Sequence, residues 1–293
     1  MTRTTRRMLS LLMAIMMLFA LAACGGDDQD NQNDGDNNTV VTGVEDGVLT
    51  VGMECQYAPY NWTQMTDENG AVEIANNPGS YANGYDVMIA KKICEANGWD
   101  LEVMAIDWGG LIPALQSGQI DMVIAGQSMT EERMAEVDMA GPYFYASIVC
   151  VAKADSPLAN AKGISELTGT CTAQSGTTWY DSCLGQIEGA EIQAASETAP
   201  AMIMAVESGT VDFICTDVPT AMGAVSAYPD LKILDFNGTE DNFDVPQSEI
   251  NIGMSVAKGN TTLLDAANDV VGAMTEEDFN SIMNEAISVQ PEI

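Results

Sequence analysis

The most informative part of the sequence is residues 107–133, which read DWGGLIPALQSGQIDMVIAGQSMTEER. Residues 110–116 have the length and pattern of a short helix, and the mainly apolar run 120–125 is typical of a buried strand. Thr130 then has the character of a helix N-cap, since two glutamates follow it in the first turn, where the helix dipole favours acids. The stretch therefore predicts a helix, a strand and a second helix in close succession.

The same alternation continues on both sides of this stretch and predicts an α/β fold. Residues 54–85 read as a long polar loop. The end of the chain is predicted to be helical, because Thr275 and Asp278 are spaced like a capping box. The other predicted helices are 86–97 and 199–207, a helix opens at 176–178, and the predicted strands are 48–53, 101–106, 148–152, 170–174, 211–216, 231–234 and the extended segment 249–257.

The first 23 residues have the features of an export signal. Three arginines precede an apolar run that is shorter than the roughly 20 residues of a membrane span. The run ends in Leu-Ala-Ala-Cys, which resembles the bacterial lipobox, so Cys24 is the predicted lipidation site. The alternative is an ordinary secretory signal that happens to contain a cysteine. Residues 24–44 are mostly polar and acidic and are predicted to form a flexible tether.

The charge balance excludes several classes of function. The 293 residues include 10 Lys and Arg against 43 Asp and Glu, a net charge of −33, which argues against a nucleic-acid partner. The chain has no histidine, so a Ser-His-Asp triad or a histidine metal site cannot be built. Without the signal, seven bases remain, the net charge becomes −36, and Arg133 is the only arginine left.

Six cysteines remain once Cys24 is assigned to the lipid. Most lie in apolar segments, where cysteine often serves as a small buried hydrophobic residue. An exported chain also permits disulfides, and Cys171 with Cys183 is the first pair to test. No CxxC pair exists, which argues against a zinc or thioredoxin-like site.

Six motifs follow one another along the chain: VGMECQYAPY at 51–60, GYDV at 84–87, the stretch 107–133, QSGTT at 174–178, VDF at 211–213 and TD at 216–217. Together they resemble the polar-amino-acid branch of the type II solute-binding proteins of ABC importers (bacterial extracellular solute-binding family 3). The resemblance covers nearly all of residues 45–290.

The resemblance implies a two-lobed type II periplasmic-binding-protein fold, in which each lobe is a mixed sheet flanked by helices. Lobe 1 is expected to comprise residues 45–146 plus 250–293, and lobe 2 residues 147–249. The two crossings near Ser147 and Glu249 would then form the hinge.

An α-amino acid requires one fixed cation and one fixed anion in its receptor. Arginine suits the carboxylate, because its planar fork grips both oxygens. The resemblance implies that Arg133 binds this carboxylate, with help from Gly126 and Ser128 in the preceding loop. The alternative is that Arg133 is a surface residue paired with Glu131 or Glu132.

The second lobe is expected to complete the amino-acid site. The resemblance implies that Asp217 pairs with the ligand ammonium. Thr177 and Thr178, at a helix start, are expected to close on the ligand carboxylate. The alternative for these residues is a purely structural capping role.

Three further residues fall where family members line the side-chain pocket. Glu54 replaces the more usual Asp, and Tyr57 and Trp108 offer flat walls for a cation–π contact. Together they favour Lys, Arg, His or Gln as the ligand. The alternative is that Tyr57 and Trp108 are only core aromatics. Trp62 and Trp179 are further aromatic candidates near the cleft.

The expected function is an extracytoplasmic, lipid-anchored receptor that closes on a free amino acid and delivers it to an ABC permease. A monomer without a cofactor, a metal or a catalytic residue is expected. One alternative is a dehydratase-like enzyme on the same scaffold, with Glu54 or Asp217 as the acid or base. Another is a ligand-sensing lipoprotein.

Overall fold

The computed structural model describes residues 44–291. The predicted signal, the lipidation site Cys24 and the predicted tether up to residue 43 lie outside this range. No helix within 44–291 is both long enough and apolar enough to cross a membrane.

The described residues form fourteen strands and eight α-helices, with short 3-10 and π turns between them. The strands are β1 (Val48–Met53), β2 (Gln56–Tyr57), β3 (Asn61–Gln64), β4 (Val72–Glu73), β5 (Tyr81–Asn83), β6 (Asp100–Ala105), β7 (Met122–Ser128), β8 (Asp138–Phe144), β9 (Ile148–Lys153), β10 (Thr168–Thr172), β11 (Gly189–Ile192), β12 (Phe213–Asp217), β13 (Leu231–Leu234) and β14 (Ile252–Val256). The helices are α1 (Tyr85–Asn97), α2 (Leu111–Gln116), α3 (Glu131–Glu136), α4 (Ala199–Glu207), α5 (Val218–Ala227), α6 (Gln247–Ile250), α7 (Thr261–Val271) and α8 (Glu276–Val289).

Two five-stranded mixed sheets carry the fold. The first has the order β6-β1-β7-β14-β8, and the second has the order β11-β10-β12-β9-β13. In each sheet four strands run in the same direction and one runs opposite to them, β14 in the first sheet and β9 in the second. We call the part built on the first sheet (β1–β8, β14, α1–α3, α7, α8) the first lobe, and the part built on the second sheet (β9–β13, α4, α5) the second lobe. The chain passes between them after β8 and before β14. The exact lobe boundaries stay a prediction.

The prediction of a long polar loop at residues 54–85 is wrong. These residues contain a small four-stranded sheet with the order β2-β3-β5-β4. Its strands pair antiparallel and have two to four residues each, too few for an alternating pattern to be recognisable in the sequence. Trp62 in β3 is buried in this layer.

Helix ends follow the local signals. Helix α1 ends at Gly98, whose φ of 71° gives the left-handed C-cap that glycine favours. Helix α8 begins with the predicted capping box of Thr275 and Asp278. The segment after Gly176 differs from the prediction, because Trp179–Cys183 forms a π turn preceded by Thr178. Such turns are frequent at functional sites.

The six described cysteines are free and buried. The pairing of Cys171 with Cys183 is therefore not formed, and the prediction that most cysteines act as small buried hydrophobic residues is confirmed. Cys150 on β9 lies opposite Cys215 on β12 in the middle of the second sheet. Burial is the main cause that raises the pKa of Cys171 to about 12, which keeps its thiol protonated.

Candidate functional site

A cavity of about 360 Å³ is lined by residues of both lobes. This volume falls within the range of about 300–1,000 Å³ that is usual for small-molecule sites. Seven of the nine residues predicted from the sequence line it: Tyr57, Trp108, Gly126, Ser128, Arg133, Thr177 and Thr178. Glu54 and Asp217 are not among its lining residues.

Arg133 lies in α3, the helix that starts directly after the loop from β7. The Thr130 side chain caps this helix by accepting the Arg133 backbone N–H at 3.2 Å. The Arg133 guanidinium donates to the backbone carbonyl of Ser128, and its Cζ lies 5.5 Å from the centre of the Trp108 ring. The alternative of a surface arginine required an ion pair with Glu131 or Glu132. Among the described residues, Arg133 forms no such ion pair within 4 Å. Burial lowers the pKa of Arg133, and the charge of Glu132 opposes this.

The backbone at Gly126 is fixed by a buried polar network. Its φ of +63° favours glycine, and a Cβ would lie 2.7 Å from Cε1 of Tyr57. The Gly126 N–H donates to the Tyr143 hydroxyl at 3.0 Å, and that hydroxyl donates to Asp86 at 2.6 Å. The Asn61 amide donates to the other Asp86 oxygen at 2.7 Å. Burial raises the pKa of Asp86 to about 7, against the effect of these donors.

The second lobe contributes the opposite wall of the cavity. Gly176 approaches Trp108 so closely that a Cβ would lie 3.2 Å from the indole Nε1, and its φ is +68°. The Thr177 hydroxyl donates to the carbonyl of Gln174 at 2.7 Å, so its oxygen can still accept a hydrogen bond. The Thr178 hydroxyl has a long contact of 3.5 Å with the Glu249 carbonyl.

Asp217 lies at the interface of the lobes but behind the cavity wall. It is 1% exposed and caps α5 by accepting the Thr220 N–H at 2.9 Å. Its other oxygen accepts the Tyr60 hydroxyl at 2.9 Å and the Tyr57 hydroxyl at 3.5 Å. Burial raises the pKa of Asp217, and these donors oppose the shift.

Glu54 is also buried beside the cavity. The residue is 6% exposed, and its Oε2 has no hydrogen-bond partner among the described residues. Burial raises the pKa of Glu54 to about 7, while the neighbouring Gln174 amide lowers it. Gln174 lines the cavity, and its Nε2 also lacks a hydrogen-bond partner.

Several lining residues were missed by the sequence analysis. The most informative are five acids: Glu131, Glu132, Glu136, Asp181 and Glu249. The spacing of Glu132 and Glu136 along one helix face beside Arg133 was a usable signal. Gln174 could have been found too, since it belongs to the motif around Gly176. Trp179 lines the cavity, whereas Trp62 lines a separate, mostly apolar cavity of about 430 Å³.

Comparison with known proteins gives a consistent result. A probable histidine-binding protein of Campylobacter jejuni is 27% identical over 220 residues, which cover 75% of this chain and 77% of that protein. An ancestral arginine-binding protein, solved bound to arginine, is 29% identical, with a TM-score of 0.62 over 82% of this chain and 97% of its own. The ancestral amino-acid-binding protein AncCDT-1, a precursor of cyclohexadienyl dehydratase, is 25% identical, with a TM-score of 0.66 over 83% of this chain and 97% of its own.

The family comparison covers most of the chain. Residues 49–287 match the model of the bacterial extracellular solute-binding proteins, family 3. This span contains every lining residue of the cavity between the lobes and all of the two five-stranded sheets except Val48. The chain therefore belongs to the bacterial extracellular solute-binding proteins, family 3.

Proposed function

We propose that this solute-binding protein takes a free cationic amino acid, of the arginine, lysine or histidine type, into the cavity between its lobes. The observation that carries the proposal is the composition of the cavity wall. Arg133 lines the cavity together with five acidic residues and no lysine. A ligand that brings one carboxylate and two cationic groups complements such a wall.

The α-carboxylate of the ligand is assigned to Arg133. The Trp108 ring and the Ser128 carbonyl restrict the guanidinium, so less rotamer entropy is lost when it binds a ligand. Thr177 and Thr178 line the cavity from the second lobe, and we assign their backbone N–H groups to the same carboxylate. The Thr177 hydroxyl would have to leave the Gln174 carbonyl before it could donate to the ligand as well. Charge-assisted hydrogen bonds of this kind contribute roughly 1.5–3 kcal/mol each.

The α-ammonium of the ligand is assigned to Asp217. Tyr57, which lines the cavity, lies between the ligand and this carboxylate. Asp217 already accepts the Tyr57 hydroxyl, and that contact, at 3.5 Å, is the weaker of its two tyrosine contacts. Because Asp217 is buried and does not line the cavity, the Tyr57 side chain has to move aside before an ammonium can reach the carboxylate.

The side chain of the ligand is assigned to the acidic part of the wall. Glu131, Glu132 and Glu136 lie on α3, and Asp181 and Glu249 lie across the cavity. A guanidinium or ammonium at the end of the ligand side chain would be attracted by them, whereas a glutamate side chain would be repelled. Glutamine, which the sequence analysis also allowed, lacks this second positive charge.

Delivery of the amino acid to an ABC permease follows from the family and completes the proposed role. Anchoring through a lipid on Cys24, a monomeric state and the absence of catalysis are further parts of the proposal. The dehydratase alternative is less well supported, because the family consists of solute-binding proteins and the Campylobacter jejuni relative is a probable histidine-binding protein.

Isothermal titration calorimetry of the purified full chain against the twenty amino acids and cystine tests the proposal. Arginine, lysine or histidine is expected to bind with a Kd near the micromolar range, which corresponds to about −8 kcal/mol. Glutamate is expected to show no heat of binding. Binding of glutamate as tightly as arginine would contradict the cationic class, and no binding of any amino acid would contradict the function itself.

A further inference from the structure

A hydrogen bond joins the two lobes at a point where neither residue lines the ligand cavity. The hydroxyl of Tyr60, between β2 and β3 in the first lobe, donates to Oδ2 of Asp217 at 2.9 Å. Asp217 ends β12 in the second lobe. Neither Tyr60 nor Asp217 is among the residues that line the cavity.

Packing fixes the position of the Tyr60 hydroxyl. Its ring is fully buried and stacks on Tyr57 with 4.9 Å between the ring centres. The edges of Tyr85 and Phe144 meet it at 6.2 Å and 6.4 Å. These neighbours belong to the first lobe, so the hydroxyl moves only when that lobe moves as a body.

The backbone of the second lobe fixes the acceptor in the same way. Asp217 is the N-cap of α5, and its Oδ1 holds the Thr220 N–H at 2.9 Å. The Asp217 side chain therefore cannot follow Tyr60 if the lobes separate. A movement of the lobes that separates these two residues would therefore break the bond between Tyr60 and Asp217.

The bond matters because Asp217 is a buried carboxylate without a cationic partner among the described side chains. A buried carboxylate is costly unless donors compensate it, and an O–H donor to a carboxylate is among the stronger hydrogen bonds. Of the two tyrosine hydroxyls that reach Asp217, only that of Tyr60 does so at a short distance.

We propose that Tyr60 is a positioning residue: its hydroxyl holds Asp217 across the lobe interface and thereby stabilises the arrangement of the two lobes in which these residues meet. Both partners are side chains of this chain, so the contact requires no ligand. The inference rests on the proposed function only where it concerns affinity, since a ligand ammonium would use the Asp217 carboxylate that Tyr60 orients.

Tyr85 provides a matched control for the loss of one hydroxyl. It is buried in the same aromatic group, and its hydroxyl donates to the Tyr143 carbonyl at 2.5 Å. Both of these residues belong to the first lobe. Tyr85→Phe thus removes a buried hydrogen bond of similar environment that does not join the lobes.

The test compares the radius of gyration of the purified full chain without ligand, by small-angle X-ray scattering, for the wild type, Tyr60→Phe and Tyr85→Phe. Tyr60→Phe is expected to enlarge the molecule, and Tyr85→Phe to leave it unchanged. Asp217→Ala removes the acceptor and is expected to give the same enlargement, with no further change when Tyr60→Phe is added. Equal radii for the wild type and Tyr60→Phe, or equal enlargement in both tyrosine variants, would overturn the proposal.

The affinity for L-arginine provides the second readout. Because a hydrogen bond to a charged group is lost, Tyr60→Phe is expected to raise the Kd about tenfold or more, whereas Tyr85→Phe leaves it within about twofold. If the wild type bound no amino acid but Tyr60→Phe still enlarged the molecule, the proposed function would fail while the role of Tyr60 stood. An unchanged Kd in Tyr60→Phe would overturn the positioning role.

Discussion

The guanidinium carbon of Arg133 lies 5.5 Å from the centre of the Trp108 ring, at the wall of the cavity between the lobes. The planar group is thus packed against the indole, and its Nη1 is fixed by the Ser128 carbonyl. Its remaining donors are available to a ligand, which is the arrangement that a carboxylate receptor requires.

Substitution of Arg133 is expected to abolish ligand capture. Arg133→Ala removes both charge and fork, and the Kd for L-arginine should rise at least about a hundredfold, since two charge-assisted bonds are lost. Arg133→Lys keeps the charge but not the paired donors, and an intermediate Kd is expected from calorimetry. Lys92→Ala, a change at an exposed lysine of α1, serves as the control and should leave binding unaltered. Equal affinity in Arg133→Ala and the wild type would exclude Arg133 from the site.

Replacement of Gly126 should damage the site through its backbone. Gly126→Ala introduces a Cβ where φ is +63° and where Tyr57 would be only 2.7 Å away. We expect weaker binding and a thermal midpoint lower by several degrees, because strain of this kind costs about 1–3 kcal/mol. Gly185→Ala is the matched control, since a Cβ there meets no atom within 4 Å. A similar loss in both variants would show that the position of Gly126 is not special.

The sequence predicted much of the fold because several signals were local. The strands Val48–Met53 and Leu231–Leu234 and the helix Ala199–Glu207 have the predicted bounds. Capping residues such as Thr130 and Thr275 marked helix starts correctly, since a cap depends on neighbours within three residues. The two-residue strands β2 and β4 escaped notice, because strands this short carry no recognisable alternation of apolar and polar residues.

The site was predicted less completely for a related reason. Residues in motifs, such as Arg133 and Thr177, could be named from the sequence, and both line the cavity. The acids Asp181 and Glu249 belong to no such pattern, and only the approach of the two lobes brings them to one cavity. The hydrogen bond from Tyr60 to Asp217 likewise joins residues 157 positions apart and has no local signature in the sequence.

The cysteines of the described region should be chemically silent in the folded protein. All six are free and buried, and burial is the main cause that raises the pKa of Cys55 and of Cys171 to about 12. A thiol-specific reagent at pH 8 should therefore label none of them in the native state. In guanidinium chloride without a reductant, all six should react, as counted by mass spectrometry. Recovery of only four labels after unfolding would reveal a disulfide and contradict the free thiols.

The buried carboxyl of Glu54 should make both stability and ligand affinity depend on pH. Burial raises its pKa from the ordinary value of 4.5 to about 7. Between these values the folded chain binds more protons than the unfolded chain, so the free energy of unfolding falls as the pH rises through this window. We expect a lower thermal midpoint at pH 7.5 than at pH 5. Glu54→Gln should flatten this decline only in part, because burial also raises the pKa of Asp86 to about 7.

Affinity for a cationic ligand is expected to change in the opposite direction. Glu54 does not line the cavity, but it lies next to the lining residue Gln174, so its charge would act on a ligand cation through the cavity wall. This attraction exists only when the carboxyl is ionised, so the Kd for L-arginine should fall as the pH rises from 6 to 8. In Glu54→Gln the amide keeps the shape of the side chain but cannot ionise, and the Kd should lose most of this dependence. Calorimetry in buffers of matched ionic strength separates this effect from screening of the protein's general negative charge. A Kd profile that is unchanged in Glu54→Gln would remove Glu54 from the ligand site and leave it a structural acid of the first lobe.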